Sequence, residues 1–139
     1  MIKLRKYKFM AASQARKSKI LLVEDERVIS KAYKIGFESA GFEVTQCFDG
    51  EEGLEKAKSV RPDIILLDLI MPKMNGITFL KSLRGQDWGK NIPVLILTNS
   101  NDSKRHAEAE QLGISDFLLK AEWSLELLVK KVKAILKIK

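Results

Sequence analysis

Ile64-Ile65-Leu66-Leu67-Asp68 is the decisive stretch of this chain: four consecutive apolar residues run without a break into a carboxylate. A run this short, with no polar alternation, reads as a strand buried on both faces, as in a parallel sheet covered by helices. The pattern recurs. Leu21-Leu22-Val23 runs into Glu24-Asp25, Val94-Leu95-Ile96-Leu97 into Thr98, and Phe117-Leu118-Leu119 into Lys120. Parallel strands bring their C-terminal ends to one edge, so carboxylates, a hydroxyl and an ammonium converge there. In open α/β sheets that edge is where ligands bind.

Working outward, the pattern predicts strands over 19–24, 43–48, 63–68, 93–98 and 115–119, alternating with helices over 27–40, 51–59, 75–84, 102–112 and 123–138. Gly41 and Gly113 follow two of the helices, where a positive φ suits glycine. Asn75 and Asp102 are expected to cap two others with their side-chain oxygens. Pro62 and Pro93 stand at or just before strand starts, where no ladder donor is lost. Strict alternation gives five βα units, and right-handed crossovers then make a parallel sheet covered on both faces. The longest connection, Gly85 to Ile92, lays Trp88 over the surface. In the last helix Leu125, Leu128, Val132 and Ile135 form the core stripe, leaving Lys130, Lys131, Lys133 and Lys137 for solvent. His106, the only histidine, is expected to face solvent.

A chain of 139 residues fits one domain and buries a core without disulfides or structural metal. The single Cys47 is expected to be a packing residue and points to an intracellular, cytoplasmic setting. No apolar run approaches the roughly 18 residues of a membrane span. The net charge of +7 is confined: residues 1–19 hold seven basic groups and no acid, which leaves 18 basic against 18 acidic groups elsewhere. Residues 1–17 are therefore expected to be a disordered basic leader, or an arm touching phosphates, anionic lipid or a partner. Residues 18–139 form the domain.

Glu24, Asp25 and Asp68 repel one another in a partly desolvated cleft, and Lys120 leaves two of their negative charges uncancelled. Hard oxygen donors without His or Cys suit Mg²⁺, or Mn²⁺, rather than Zn²⁺. With such an ion a carboxylate can act as nucleophile towards phosphorus and form an aspartyl phosphate. The metal, ammonium, hydroxyl and loop N–H groups would supply the charge stabilisation that phosphoryl transfer needs. Asp68, ending a wholly apolar strand, is the expected nucleophile. Asp25 is expected to bind the metal directly, and Glu24, one methylene longer, to hold metal-bound water or a ligand at the rim.

These residues resemble the receiver domains of bacterial two-component response regulators, CheY-like proteins. The marks are Val23-Glu24-Asp25-Glu26, Asp68 followed by Met71-Pro72-Lys73-Met74-Asn75-Gly76, Leu97-Thr98, and Lys120. The resemblance covers residues 18–139 and implies a flavodoxin-like (βα)5 three-layer sandwich with strand order 2-1-3-4-5. It implies that Asp68 takes a phosphoryl group from a sensor histidine kinase or phosphotransfer protein. Mg²⁺ would be held by Asp25, Asp68 and the backbone carbonyl of Ile70. Lys120, the Thr98 hydroxyl and the Asn99 N–H would hold phosphoryl oxygens. Thr98 and Phe117 would form the switch, Phe117 turning inward as the hydroxyl moves. The face made by the fourth helix, fifth strand and fifth helix would then dock a downstream protein.

Three departures stand out. Ala121 follows Lys120 where the family usually has Pro; a non-proline cis bond costs about 2.5–4 kcal/mol, so a trans bond and a different ammonium placement are expected. Asn99 replaces a small residue and narrows access. Ile70 offers no acid or amide to position water, which implies a slowly lost phosphate. The expected role is a stand-alone phosphoacceptor switch, not an enzyme. The competing readings are an aspartate-based phosphohydrolase, which Ile70 speaks against, a nucleic-acid binder acting through the leader, and a receiver-shaped scaffold that no longer takes phosphate.

Overall fold

Strand and helix alternate along the whole computed structural model, which describes residues 16–139. The elements are β1 (Lys19–Val23), α1 (Arg27–Ser39), β2 (Glu43–Cys47), α2 (Gly50–Val60), β3 (Ile64–Leu67), α3 (Gly76–Arg84), β4 (Val94–Thr98), α4 (Ser103–Leu112), β5 (Asp116–Leu119) and α5 (Leu125–Leu136). The five strands are parallel in the order β2-β1-β3-β4-β5, the flavodoxin-like arrangement expected.

The strand period of two sorts the sheet into two cores. Leu21, Val23, Ile65, Leu67, Val94 and Ile96 point to one face, under Ala57 of α2, Phe79 and Leu83 of α3, and Ala109 of α4. Ile20, Leu22, Ile64, Leu66, Leu95 and Leu97 point to the other, under Phe37 of α1 and Leu128 and Val132 of α5. Every residue of β3 and β4 is buried, which is why their sequences show no alternation. Each such side chain contributes about 1.5–3 kcal/mol, and together they hold the strand tips in place.

Asn75 caps α3 by accepting the Thr78 N–H at 3.0 Å, and Asp102 caps α4 by accepting that of Lys104 at 3.0 Å. Gly41 and Gly113 have φ of 97° and 90°. Cys47 is fully buried, and burial pushes its thiol pKa up to about 12.

Some expectations change. The last helix begins at Leu125, not 123: Ser124 caps it by accepting the Leu127 N–H at 3.2 Å, and residues Lys120–Glu122 form a separate 3-10 turn. Lys131 does not extend into solvent; it reaches back to Asp116 Oδ2 of β5 at 2.7 Å. Trp88 lies half-buried in the 3-10 turn Asp87–Gly89, with the Arg61 guanidinium 5.2 Å from its ring centre. Arg84 closes the lower end of the molecule by donating to four backbone carbonyls: Leu112 (3.1 Å), Gly89 (2.8 Å), Ile92 (2.9 Å) and Gly113 (2.7 Å).

The basic leader lies outside the described residues up to residue 15; Arg16 and Lys17 are exposed ahead of β1. Among the described residues no helix is long and apolar enough to cross a membrane.

Candidate functional site

The register of β1 and β3 pairs Val23 with Leu67, so Glu24 and Asp68 leave the sheet side by side. The Asp68 N–H donates to the Val23 carbonyl at 3.1 Å, and the Glu24 N–H to the Cys47 carbonyl at 3.0 Å. One oxygen from each of Glu24, Asp25 and Asp68 lies within 4.8 Å of the others. β5 lies two places from β3 and three from β1, and from its tip the Lys120 ammonium donates to Asp68 Oδ2 at 2.9 Å and to Glu24 Oε1. Between them, at the end of β4, Thr98 is buried and its hydroxyl accepts the Ser100 N–H at 3.3 Å, while Asn99 is exposed. The polar tips of four strands are therefore brought to one edge.

Burial sets the electrostatics. The Glu24 side chain is 2% exposed and that of Lys120 7%. Desolvation raises the Glu24 pKa above the ordinary carboxylate value, opposed by its hydrogen bonds from Lys120 and the Glu26 N–H. Burial alone would lower Lys120, but its bonds to Glu24 and Asp68 carry it above the ordinary lysine value. The ammonium stays charged and holds two carboxylates together in a poorly solvated place.

Glu24 therefore does not occupy the rim. Adjacent residues at a strand end point to opposite sides, so Glu24 turns into the cleft while Asp25 remains half-exposed. Ile70 is 52% exposed and its N–H donates to Asp68 Oδ1 at 3.1 Å. Both Asp68 oxygens thus have a donor. No peptide bond among the described residues is cis, and Lys120 reaches Asp68 across a trans bond to Ala121.

Three residues have supporting contacts that the sequence reading did not assign. A Cβ on Gly76 would stand 2.6 Å from Leu69 Cα and 2.7 Å from the Asp68 carbonyl, so glycine lets α3 begin directly against the Asp68 backbone. Asp49 caps α2 by accepting the Glu52 N–H at 2.9 Å and pairs with Lys73 of the loop after Asp68 at 3.5 Å. The spacing of Asp49 and Glu52 is a readable N-cap signal. His106 faces solvent in part, as expected, with its side chain 40% exposed, and its ring also stacks on Phe117 with centres 4.1 Å apart and planes 9° from parallel. Nothing local in the sequence announces that contact.

Three clustered carboxylates and one ammonium leave two net negative charges among hard oxygen donors. That donor set fits Mg²⁺ or Mn²⁺.

A family profile described as the response regulator receiver domain matches residues 20–133. The chain belongs to that family. Among its relatives, the transcriptional regulatory protein CiaR of Streptococcus pneumoniae is 45% identical over 121 residues, covering 86% of this chain and 51% of CiaR. The DNA-binding dual master transcriptional regulator RpaA of Synechocystis is 34% identical over 119 residues, covering 86% of this chain and 49% of RpaA. The chain thus spans about half the length of these curated relatives. The solved structure of the chemotaxis response regulator CheY4 of Vibrio cholerae superposes with a TM-score of 0.79 at 32% identity, over 86% of this chain and 99% of that one. Receiver domains are signalling modules of two-component systems that bind Mg²⁺ at an acidic cluster, and Glu24, Asp25 and Asp68 bring three carboxylates together here.

Proposed function

We propose that this receiver domain accepts a phosphoryl group on Asp68 from a phosphohistidine of a sensor histidine kinase or phosphotransfer protein, and passes the signal to a downstream protein. The single observation that carries the reading is the Lys120 ammonium at the tip of β5, bonded at once to Asp68 at the end of β3 and to Glu24 at the end of β1. Such a contact puts a fixed positive charge where the phosphoryl oxygens would bring their negative charge.

In the transfer an Asp68 carboxylate oxygen attacks phosphorus, the P–N bond breaks as the P–O bond forms, and the leaving imidazole nitrogen takes up a proton. Mg²⁺, when bound, shields the charge of the incoming phosphoryl group. Asp25, Asp68 and the Ile70 carbonyl would hold it, with Glu24 reached through water. Lys120 shifts its hydrogen bond from the carboxylate to a phosphoryl oxygen. The Thr98 hydroxyl gives up the Ser100 N–H and donates to a second oxygen, and the Asn99 N–H donates to a third. Thr98 and Phe117 share one face of the sheet, since Ile96 pairs with Phe117 and Thr98 with Leu119. Movement of the hydroxyl therefore opens space towards which the Phe117 ring can turn, changing the surface of α4, β5 and α5. The role is a stoichiometric switch rather than turnover.

Intact-mass measurement after incubation with acetyl phosphate and Mg²⁺ tests the reading. One added phosphoryl group is expected, none in Asp68→Asn, and none with a chelator present. An unmodified parent chain would instead favour a receiver-shaped scaffold.

A further inference from the structure

The contact between His106 and Phe117 has no part in the chemistry of Asp68, yet it bears on the residue that would report that chemistry. Phe117 is half-buried and packs on the core beneath α2, α3 and α4. Its outer side is covered by the imidazole of His106, whose ring lies 4.1 Å away and 9° from parallel. His106 is itself held: Nε2 lies 2.9 Å from Glu110 Oε1, one helical turn further along α4. The Phe117 backbone is held as well, its N–H donating to Asp116 Oδ1 at 2.8 Å while Asp116 Oδ2 pairs with Lys131 of α5 at 2.7 Å. α4 and α5 therefore grip successive residues of β5.

We propose that His106 is a positioning residue that clamps Phe117 in its outer position, and that protonation of the imidazole tightens the clamp. This deepens the switch role given to Phe117 above and rests on it. A ring buried against a core gains by moving further in; stacking on an imidazole opposes that move. The phenyl face is electron-rich, so it attracts an imidazolium more strongly than a neutral imidazole. Two carboxylates lie near the imidazole, Glu110 from α4 itself and Asp116 from β5. Asp116 is itself paired with Lys131 of α5. An imidazole changes charge between about pH 5 and 8. Acidification within that range is thus expected to favour the outer ring position, and alkalinity the inner one.

The test places 4-fluorophenylalanine at position 117 and reads the inner and outer ring populations by fluorine NMR, with and without acetyl phosphate and Mg²⁺. In the unphosphorylated protein, His106→Ala is expected to raise the inner-to-outer ratio about 2- to 10-fold, the range for an aromatic pair. The parent ratio is expected to rise about 2- to 5-fold from pH 6 to pH 8. His106→Phe keeps a stacking ring without a proton, so it is expected to restore the outer population and to show no such pH dependence. Equal ratios in the parent and His106→Ala overturn the clamp. A pH dependence that persists in His106→Phe overturns its proton sensitivity. Intact mass of the same samples separates this from the reading of Asp68: failure to take up phosphate sinks the phosphoacceptor role, while the unphosphorylated ratios still decide whether His106 holds the ring.

Discussion

Replacing Lys120 by methionine keeps much of the aliphatic stem and removes the charge that two buried carboxylates share. Glu24 and Asp68 would then face each other with Asp25 alongside, three carboxylate oxygens within 4.8 Å and no ammonium. Removing one partner of a buried ion pair costs about 3–5 kcal/mol. The loss is capped, because a carboxylate can always be neutralised by a proton. At pH 7 that costs about 3.4 kcal/mol, from about 1.36 kcal/mol per unit starting at the ordinary glutamate value of 4.5. We therefore expect Lys120→Met to lose about 3 kcal/mol at pH 7 in a chelating buffer, measured by urea unfolding. The sign of the pH dependence follows. Within the window above the ordinary glutamate value, the folded variant holds a proton that its unfolded chain has released, so its stability falls as pH rises. The deficit is expected to shrink by about 1.4 kcal/mol for each unit below pH 7. Mg²⁺ is expected to stabilise the variant more than the parent, since no ammonium competes for the carboxylates. A variant within about 1 kcal/mol of the parent in chelator, or one that gains no more than the parent from Mg²⁺, would refute the electrostatic account of the site.

Arg84→Met removes the donor to four carbonyls, and a loss of about 3 kcal/mol is expected by denaturant unfolding. Arg84→Lys is expected to recover less than half, because a single ammonium cannot span carbonyls that diverge. Cys47, fully buried with its thiol pushed up to about 12, is expected to resist thiol reagents in the native protein and to react at once in urea; modification of the folded chain at an unfolded-like rate would contradict its packing role. Ile70→Asn places an amide beside Asp68 and is expected to shorten the lifetime of the phosphoryl group, followed by intact mass after acetyl phosphate is removed. An unchanged lifetime counts against the proposed part of Ile70.

Much of this site was readable because it rests on strand ends. The apolar runs before Glu24, Asp68, Thr98 and Lys120 mark where each strand stops, and parallel strands stop together. Asn75 and Asp102 were legible as caps for the same reason: a cap is decided by residues within one turn. The placement of Glu24 at the rim was misjudged because a doublet of acids does not say which one the strand turns inward. The roles of Lys131 and His106 were missed because their partners, Asp116 and Phe117, belong to a different element.

Periodicity, composition and the polar residues after each apolar run are local properties, and they settled the class of fold and the position of Asp68 at a strand end. Which side chain meets which was settled only by the packed molecule. Contacts such as Lys120 with Glu24, Arg84 with the Leu112 and Gly113 carbonyls and His106 with Phe117 join segments whose separation depends on strand order and on the path of each crossover helix. Those long-range choices follow from burying both faces of the sheet at once, and no window of neighbouring residues contains them.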